Sequence, residues 1–576
     1  MVLQNYFRLL VPPQFRKALD LASVCLKEYR QLDDAEEKAI LLKFIGINLL
    51  DYAWLVIIFA LIMGVFMYLM RQTIIRASRL MEYDIRKEIF DHYEKLDSSF
   101  YRRNSTGDLM ARITEDVSKV RMYLGPGLLY CINLVTLFLI AVVYMYGVNK
   151  TLTIYALLPL PVLSISIYYV SSIINKRSEK IQIQLARLNT IAQEVFSGIR
   201  VVKSYSKEDQ FRDHFNKETH KYLDDSMQLA KVNALFHPLM LLLVSFSVLL
   251  VVVIGGQEVA KGNITHGNIA EFIIYVNMLT WPFTALGWIV SIVQQAEASQ
   301  GRINEFLETQ PKIMNKSHQT LDLKGNVTFK DVTFVYTDSG TTALKNVSFS
   351  VAKGEKLGII GRTASGKSTI ANLLLRMSDI TEGSILIDGH PIQDLNLHEL
   401  RKKIGYVPQD AFLFSDSIAK NIAFGKPDAD IDRIRYITKN AAVYEDIISL
   451  PERFETAIGE RGVTLSGGQK QRISLARALI KDPEIIILDD CLSAVDTTTE
   501  RTILSYLNTA LKDKTAIIIT HRIYQHLAFD KVIVMDDGQI VESGTPSELI
   551  ELKGYYYEIL RKQVIEENRP EITEIG

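Results

Sequence analysis

The chain has 576 residues, of which 65 are Lys or Arg and 66 are Asp or Glu, for a formal net charge of −1. That length is too great for one domain, and the balanced charge gives no support to a nucleic-acid binder or a charged disordered chain. Hydrophobic residues make up 48 % and the mean hydropathy is +0.10, an average that suits a mixture of two unlike parts.

Cys25, Cys131 and Cys491 are too few and too scattered for a disulfide scaffold or a metal cluster, and read as unpaired thiols. Apolar runs near membrane-spanning length occupy 49–70, 124–146, 152–174, 235–254 and 269–293. A span needs about 20 apolar residues. The intervening 71–123 and 175–234 are polar yet keep helical spacing, as in Ile85, Ile89, Tyr93 and Leu96. They predict long helices that continue beyond the bilayer, broken only near Gly107 and Gly198. Arg71, Arg76, Arg79, Lys176 and Arg177 flank the spans as positive-inside anchors. Asp51 and His237 fall near span ends and read as interfacial. Pro159, Pro161, Pro238 and Pro282 predict kinks or ends. No intramembrane charge pair identifies a cargo.

From about residue 326 the pattern changes to short strands at 326–336, 347–351 and 356–360. The last runs into Gly361-Arg362-Thr363-Ala364-Ser365-Gly366-Lys367-Ser368-Thr369 and then an apolar-faced helix. This is G-x-x-x-x-G-K-[ST] between strand and helix, the setting in which backbone N–H groups cradle phosphates. Lys367 reaches β- and γ-phosphates and Ser368 ligates Mg²⁺ in such a loop, which implies a nucleoside triphosphate and Mg²⁺. Residues 483–489 read as a buried strand with Asp489 at its C-terminal end, where a carboxylate can hold the Mg²⁺ shell. A further apolar strand at 517–519 leads to Thr520 and His521, a candidate γ-phosphate ligand. The fold class is an all-α transmembrane domain followed by an α/β P-loop NTPase domain.

Leu465-Ser466-Gly467-Gly468-Gln469-Lys470-Gln471-Arg472 resembles the signature of the ATP-binding cassette (ABC) family. The motif order matches too: Tyr336, the phosphate loop, Gln409 within Tyr406-Val407-Pro408-Gln409, the signature, Asp489, and Ser493-Ala494-Val495-Asp496 before His521. With the membrane half in front, nearly the whole chain resembles an ABC exporter half-transporter. The resemblance implies that Tyr336 stacks on adenine and Gln409 touches Mg²⁺ or water. It implies that Ser466, Gly467, Gly468 and Gln469 face ATP on a second subunit, and that Asp496 lies across the dimer contact. Residues 456–462 resemble an exporter loop, with Ala457 where Glu is frequent. Phe100, Tyr101 and 106–109 resemble a first intracellular loop, and Glu194 with 197–203 a second; such loops dock on cassettes.

The expected organisation is an N-terminal segment (1–48), a transmembrane domain (49–305), a linker (306–325), the cassette (326–566) and a tail (567–576). The expected place is the cell membrane, multi-pass, with the cassette in the cytoplasm. The expected partners are a second half-transporter, membrane lipids and a hydrophobic or amphipathic substrate, with no nucleic acid. Two departures stand out. Asp490 occupies the place where the family carries its catalytic Glu, one methylene longer. That favours a heterodimer in which a partner's Glu works with this chain's signature; a homodimer and an ATP-binding regulatory subunit are the alternatives. Five spans also leave the two chain ends on opposite sides, whereas exporter halves of this family have six. Leu10-Val11-Pro12-Pro13 and Ala18-Leu19-Asp20 resemble the end of a first span and its external segment, which points to a misplaced start codon or a truncation, with a chain that natively begins at Met1 as the alternative.

Overall fold

The structure, a computed structural model, describes residues 1–315, 322–459, 465–493, 495–524 and 526–567. Glu460, Arg461, Gly462, Ala494 and the side chain of His237 lie outside that description. The chain forms two compact units: Met1–Tyr93 with Gly107–Thr309, and Glu94–Thr106 with Gln310–Gly576.

The first unit is helical: α1 (Val2–Leu9), α2 (Val11–Gln31), α3 (Ala35–Tyr93), α5 (Thr106–Val148), α6 (Lys150–Ser197), α7 (Glu208–Ala260) and α8 (His266–Leu307). The short helix α4 (Ser98–Arg103) belongs to the second unit. Among the described residues five helices, α3 and α5 to α8, are long and apolar enough to cross a membrane. At about 1.5 Å per residue, the 59 residues of α3 reach about 88 Å, nearly three times the roughly 30 Å hydrocarbon core. The polar segments between apolar runs are therefore helical extensions, as their spacing predicts. Pro159 restarts α6 after Leu158, whereas Pro238 and Pro282 sit inside α7 and α8 without ending them. Two turns of α5 widen to π-helix, Arg112–Asp116 and Tyr123–Gly127, the second around Pro126, which has no N–H to donate.

Leu9, Leu137, Met145, Leu152, Val251, Phe272, Tyr275 and Leu279 form a buried core where α1 and α5 to α8 meet. The Asp20 carboxylate on α2 accepts from Gly267 N–H (2.8 Å) and Thr265 Oγ1 (2.7 Å) at the start of α8. Along the polar extensions the carboxylate of Glu82 pairs with Arg79 and Arg86 (both 2.9 Å) and lies 3.5 Å from Arg121. Asp116, fully buried, accepts from Ser299 (2.8 Å) and pairs with Arg302. Buried charge is costly unless it is matched this way.

The second unit carries two sheets. An antiparallel sheet runs in order β2-β1-β4-β5, with β1 Val327–Val335, β2 Thr342–Val351, β4 Glu382–Ile387 and β5 His390–Pro391. Strand β2 starts earlier than the apolar pattern at 347–351 suggests, because Thr342 and Leu344 also find partners on β1. The larger sheet is ordered β10-β9-β3-β8-β7-β6, with β3 Lys356–Gly361, β6 Ile404–Val407, β7 Ile485–Asp489, β8 Thr515–Thr520, β9 Lys531–Asp536 and β10 Gln539–Gly544. Strands β9, β3, β8, β7 and β6 run parallel. Register then places the site: Ile360 lies opposite Thr520 and Asp489 opposite Ile519. Gly361, Asp489 and His521 thus emerge at one C-terminal edge, where open α/β sheets bind ligands.

Candidate functional site

The phosphate loop joins β3 to helix α9 (Lys367–Leu374). Its end glycines are required by space. Gly366 has φ +96°, and a Cβ there would stand 2.4 Å from the Ala343 carbonyl oxygen. At Gly361, φ +157°, a Cβ would stand 2.2 Å from the Met535 carbonyl oxygen. Lys367 is buried, and its ammonium donates to the carbonyls of Gly361 (2.9 Å) and Arg362 (2.6 Å). Burial pulls its pKa below the usual lysine value, against the opposing pull of Asp489 and Asp490.

A cavity of about 590 Å³ opens over this loop. Tyr336, Thr363, Ala364, Ser365, Gly366, Lys367, Ser368, Thr369, Gln409, Asp489, Asp490 and His521 all line it. Twelve candidates spread over nearly two hundred residues are thereby gathered in one place. The Asp489 carboxyl is 3 % exposed. Burial raises its pKa, the Ser368 hydroxyl bonded to it works the other way, and the charge of Asp490 adds to the rise. Asp490 has a left-handed backbone, φ +46°. Its N–H donates to the Ile519 carbonyl (2.8 Å), and its own carbonyl accepts from Ser493 Oγ (2.9 Å).

The Tyr336 hydroxyl shares a hydrogen bond with Thr369 Oγ1 (3.1 Å), and its ring meets Phe334 edge-on. Sequence reasoning missed a further neighbour. The Arg102 guanidinium lies 5.4 Å from the centre of the Tyr336 ring and donates to Asp338 (3.0 Å). Helix α4 is seated by two more bonds: Ser98 Oγ donates to the Met377 carbonyl (3.1 Å), and Asp97 accepts from Lys312 N–H (3.3 Å). The cavity wall formed by Asp537 and Gly538 also went unread, although Asp-Gly between two apolar runs is a hairpin signal.

The signature residues do not line this cavity. Ser466 caps helix α10 (Gly467–Ile480): its hydroxyl accepts from Gln469 N–H (3.3 Å) while Gln469 Oε1 accepts from Ser466 N–H (3.0 Å). Gly467 and Gly468 form the first turn, and Gln469 Nε2 also donates to Asp446 (3.0 Å). Asp496 likewise caps helix α11 (Thr497–Ala510) through Thr499 N–H (3.0 Å). Those backbone and side-chain bonds from Thr499 hold its pKa below the usual carboxylate range.

The family description "ABC transporter transmembrane region" matches residues 14–283, and "ABC transporter" matches 344–493. The chain is 38 % identical over 524 residues to a probable multidrug resistance ABC transporter ATP-binding/permease protein, YheI, of Bacillus subtilis, covering 90 % of this chain and 89 % of that one. The chain belongs to the ABC transporter family. This ABC chain is 34 % identical to the multidrug resistance-like ATP-binding protein MdlA of Escherichia coli (90 % and 89 % covered). It is 33 % identical to an ATP-dependent lipid A-core flippase of Photobacterium profundum (83 % and 82 %). A solved structure of a bacterial Atm1-family ABC exporter with ATP bound superposes with TM-score 0.77 at 25 % identity, over 98 % of this chain and 96 % of that one. The chain is thus a multi-pass membrane ABC exporter with a fused, cytoplasmic, ATP-hydrolysing domain.

Proposed function

We propose that this chain is one half of a dimeric ABC exporter that uses ATP to move a hydrophobic or amphipathic small molecule, lipid or peptide across the cell membrane. The names of the multidrug and lipid A relatives support that substrate range. In this reading residues 49–305 form the transmembrane domain and residues 326–566 the cassette. Tyr336 stacks on adenine, residues Gly361 to Thr369 hold the phosphates, and His521 contacts the γ-phosphate. Ser466 to Gln469 and Asp496 serve the ATP of the second subunit. A capped helix N-terminus beside two glycines suits that task, since its N–H groups attract anions.

Ser368, Gln409 and Asp489 are the residues that would hold Mg²⁺. The buried Asp489 carboxyl, with the Ser368 hydroxyl bonded to it, fits a small hard cation completed by phosphate oxygens and water. When bound, the ion would neutralise charge on the phosphates.

The observation that carries the dimer reading is Asp490. It occupies the position of the general base with a side chain one methylene short, while the signature helix of the same chain keeps both its cap and its glycines. A heterodimer resolves this asymmetry: the partner's longer base acts at the site completed by this chain's signature. Asp490 equally supports a second reading, a subunit that binds ATP and turns over little of it.

One experiment separates these readings. The full chain is reconstituted alone, and again with the product of any adjacent half-transporter gene, and phosphate release is measured against a panel of lipids and amphipathic drugs. Stimulated turnover that requires the second chain is the expected result. Brisk stimulated turnover by this chain alone would make it a homodimer, and no stimulation in either setting would favour the subunit that binds ATP and turns over little of it.

A further inference from the structure

The C-terminal helix α12 (Tyr555–Glu567) is tied to both sides of the nucleotide site. Its start is capped by Glu542, whose carboxylate accepts from the N–H groups of Tyr555 and Tyr556. Tyr556, 3 % exposed, packs in the helix-side core that also holds Ile523, Tyr524 and Leu527, with Ile559 and Leu560 against the same core. Positions 556, 559, 560 and 563 share one helix face by spacing. The last of them, Gln563, does not pack as a hydrocarbon. Its Oε1 accepts the N–H of Ile523 at 2.9 Å. Ile523 stands two residues beyond His521, in the segment that leaves β8, whose end is fixed by Arg522 N–H donating to Thr520 Oγ1 (3.0 Å). At the other end of the helix, the Arg362 guanidinium of the phosphate loop lies 5.7 Å from the centre of the Tyr555 ring.

A glutamine on a docked helix therefore holds the backbone immediately after the histidine of the site. A partly buried N–H needs an acceptor, and here the acceptor is supplied across 40 residues of sequence rather than by a strand neighbour. We propose that Gln563 is a positioning residue for His521, so that helix α12 sets how well the site distinguishes a nucleotide with a γ-phosphate from one without. The proposal rests on the reading of His521 as a γ-phosphate ligand. Gln563 is not among the residues that line the cavity; it acts through the Ile523 amide and the two-residue step of backbone between Ile523 and His521.

The test uses the full chain in detergent, with AMP-PNP and ADP as competitors of a fluorescent nucleotide, so that turnover plays no part. Gln563→Ala is expected to weaken AMP-PNP by about 3- to 10-fold, the span of a single hydrogen bond, and to leave ADP within about twofold. Gln563→Glu keeps an acceptor oxygen at the same reach and is expected to restore AMP-PNP binding; Gln563→Asn, one methylene shorter, is expected to behave as the alanine variant. His521→Ala reports on the underlying reading and should lose AMP-PNP selectively, with no further loss when Gln563→Ala is added. If Gln563→Ala weakens both nucleotides alike, or neither, while His521→Ala remains selective, the inference is wrong and the His521 reading stands. If His521→Ala is itself unselective, that reading falls and the inference falls with it.

Discussion

Replacing Asp490 by Glu tests the chemistry of the site most directly. On a fixed backbone an aspartate carboxylate ends about 1–1.5 Å short of a glutamate's, one C–C bond. A general base must stand within about 2.6–3.2 Å of its proton, directly or through one water, and a misplacement near 1 Å costs on the order of 100-fold, about 2.7 kcal/mol of barrier. The backbone cannot readily move to close that gap. Strand β7 is paired on both sides, by β6 and β8, and residue 490 is pinned by Ile519 on one side and Ser493 on the other. The left-handed φ of +46° favours Asp over longer side chains. Charging Glu about 1 kcal/mol for that conformation leaves roughly a 20- to 100-fold gain. Phosphate release from the full chain in lipid nanodiscs, compared for wild type, Asp490→Glu and Asp490→Asn, reads it. The argument fails if wild type alone already turns over at about 1 s⁻¹ or faster, if Asp490→Glu stays within threefold of it, and if Asp490→Asn is inactive. That pattern would identify the shorter carboxylate as a competent base.

Other expectations follow from the geometry. Gly366→Ala would place a methyl 2.4 Å from the Ala343 carbonyl at φ +96°; it should abolish ATP binding and lower the cassette's melting temperature by several degrees, read by nucleotide titration and calorimetry. Removing Lys367 with Lys367→Ala should cost at least tenfold in ATP affinity, because a charge-assisted phosphate contact is lost. Arg102→Ala and Asp338→Ala, combined in a double-mutant cycle on ATP binding, should show a coupling of at most about 1 kcal/mol, since the Arg102 side chain is 42 % exposed. Asp116→Ala strips Ser299 and Arg302 of their shared acceptor and should destabilise the helical unit by about 1–3 kcal/mol, measured by thermal unfolding in detergent.

What could be read from the sequence followed from local necessity. The spacing of Gly361, Gly366 and Lys367 announces the phosphate loop because only glycine fits where the backbone turns against Ala343 and Met535. The five spans were legible as apolar length, and their cytoplasmic extensions as helical spacing. Ser466 with Gln469 three residues on is a capping pattern visible in one line of text, but its use as an anion site came only from family resemblance. The missed features depend on distance or on conformation. Arg102 meets Asp338 across 236 residues, and no local pattern predicts which arginine of 102 and 103 turns toward Tyr336. The left-handed backbone of Asp490 is equally silent, since aspartate tolerates that region without requiring it. Of the two π-turns of α5, one contains Pro126 and the other ends at Asp116, whose partner Ser299 lies 183 residues away.

These two kinds of feature converge on the same asymmetry. In the proposed reading the parts of the site that hold phosphate are made largely by backbone, at glycines, strand ends and helix starts, with Lys367 and His521 adding side-chain contacts. Such parts tolerate little change, and in this chain both the loop at 361–369 and the helix start at 466–469 are intact in geometry. In the proposed reading the part that moves a proton is a single side chain, Asp490, whose reach can shorten by one carbon without disturbing a backbone hydrogen bond around it. A subunit can therefore lose turnover at its own loop while keeping ATP affinity and a signature able to serve a neighbour. Binding alone still supplies the energy to close a composite site, because closure follows from differential affinity and not from hydrolysis. On that argument Asp490→Glu should raise phosphate release while leaving ATP affinity within about threefold, since its carboxylate acts in the transition state more than in the bound ground state. A parallel gain in affinity would mean that Asp490 limits binding, and would remove the case for a division of labour between two unlike chains.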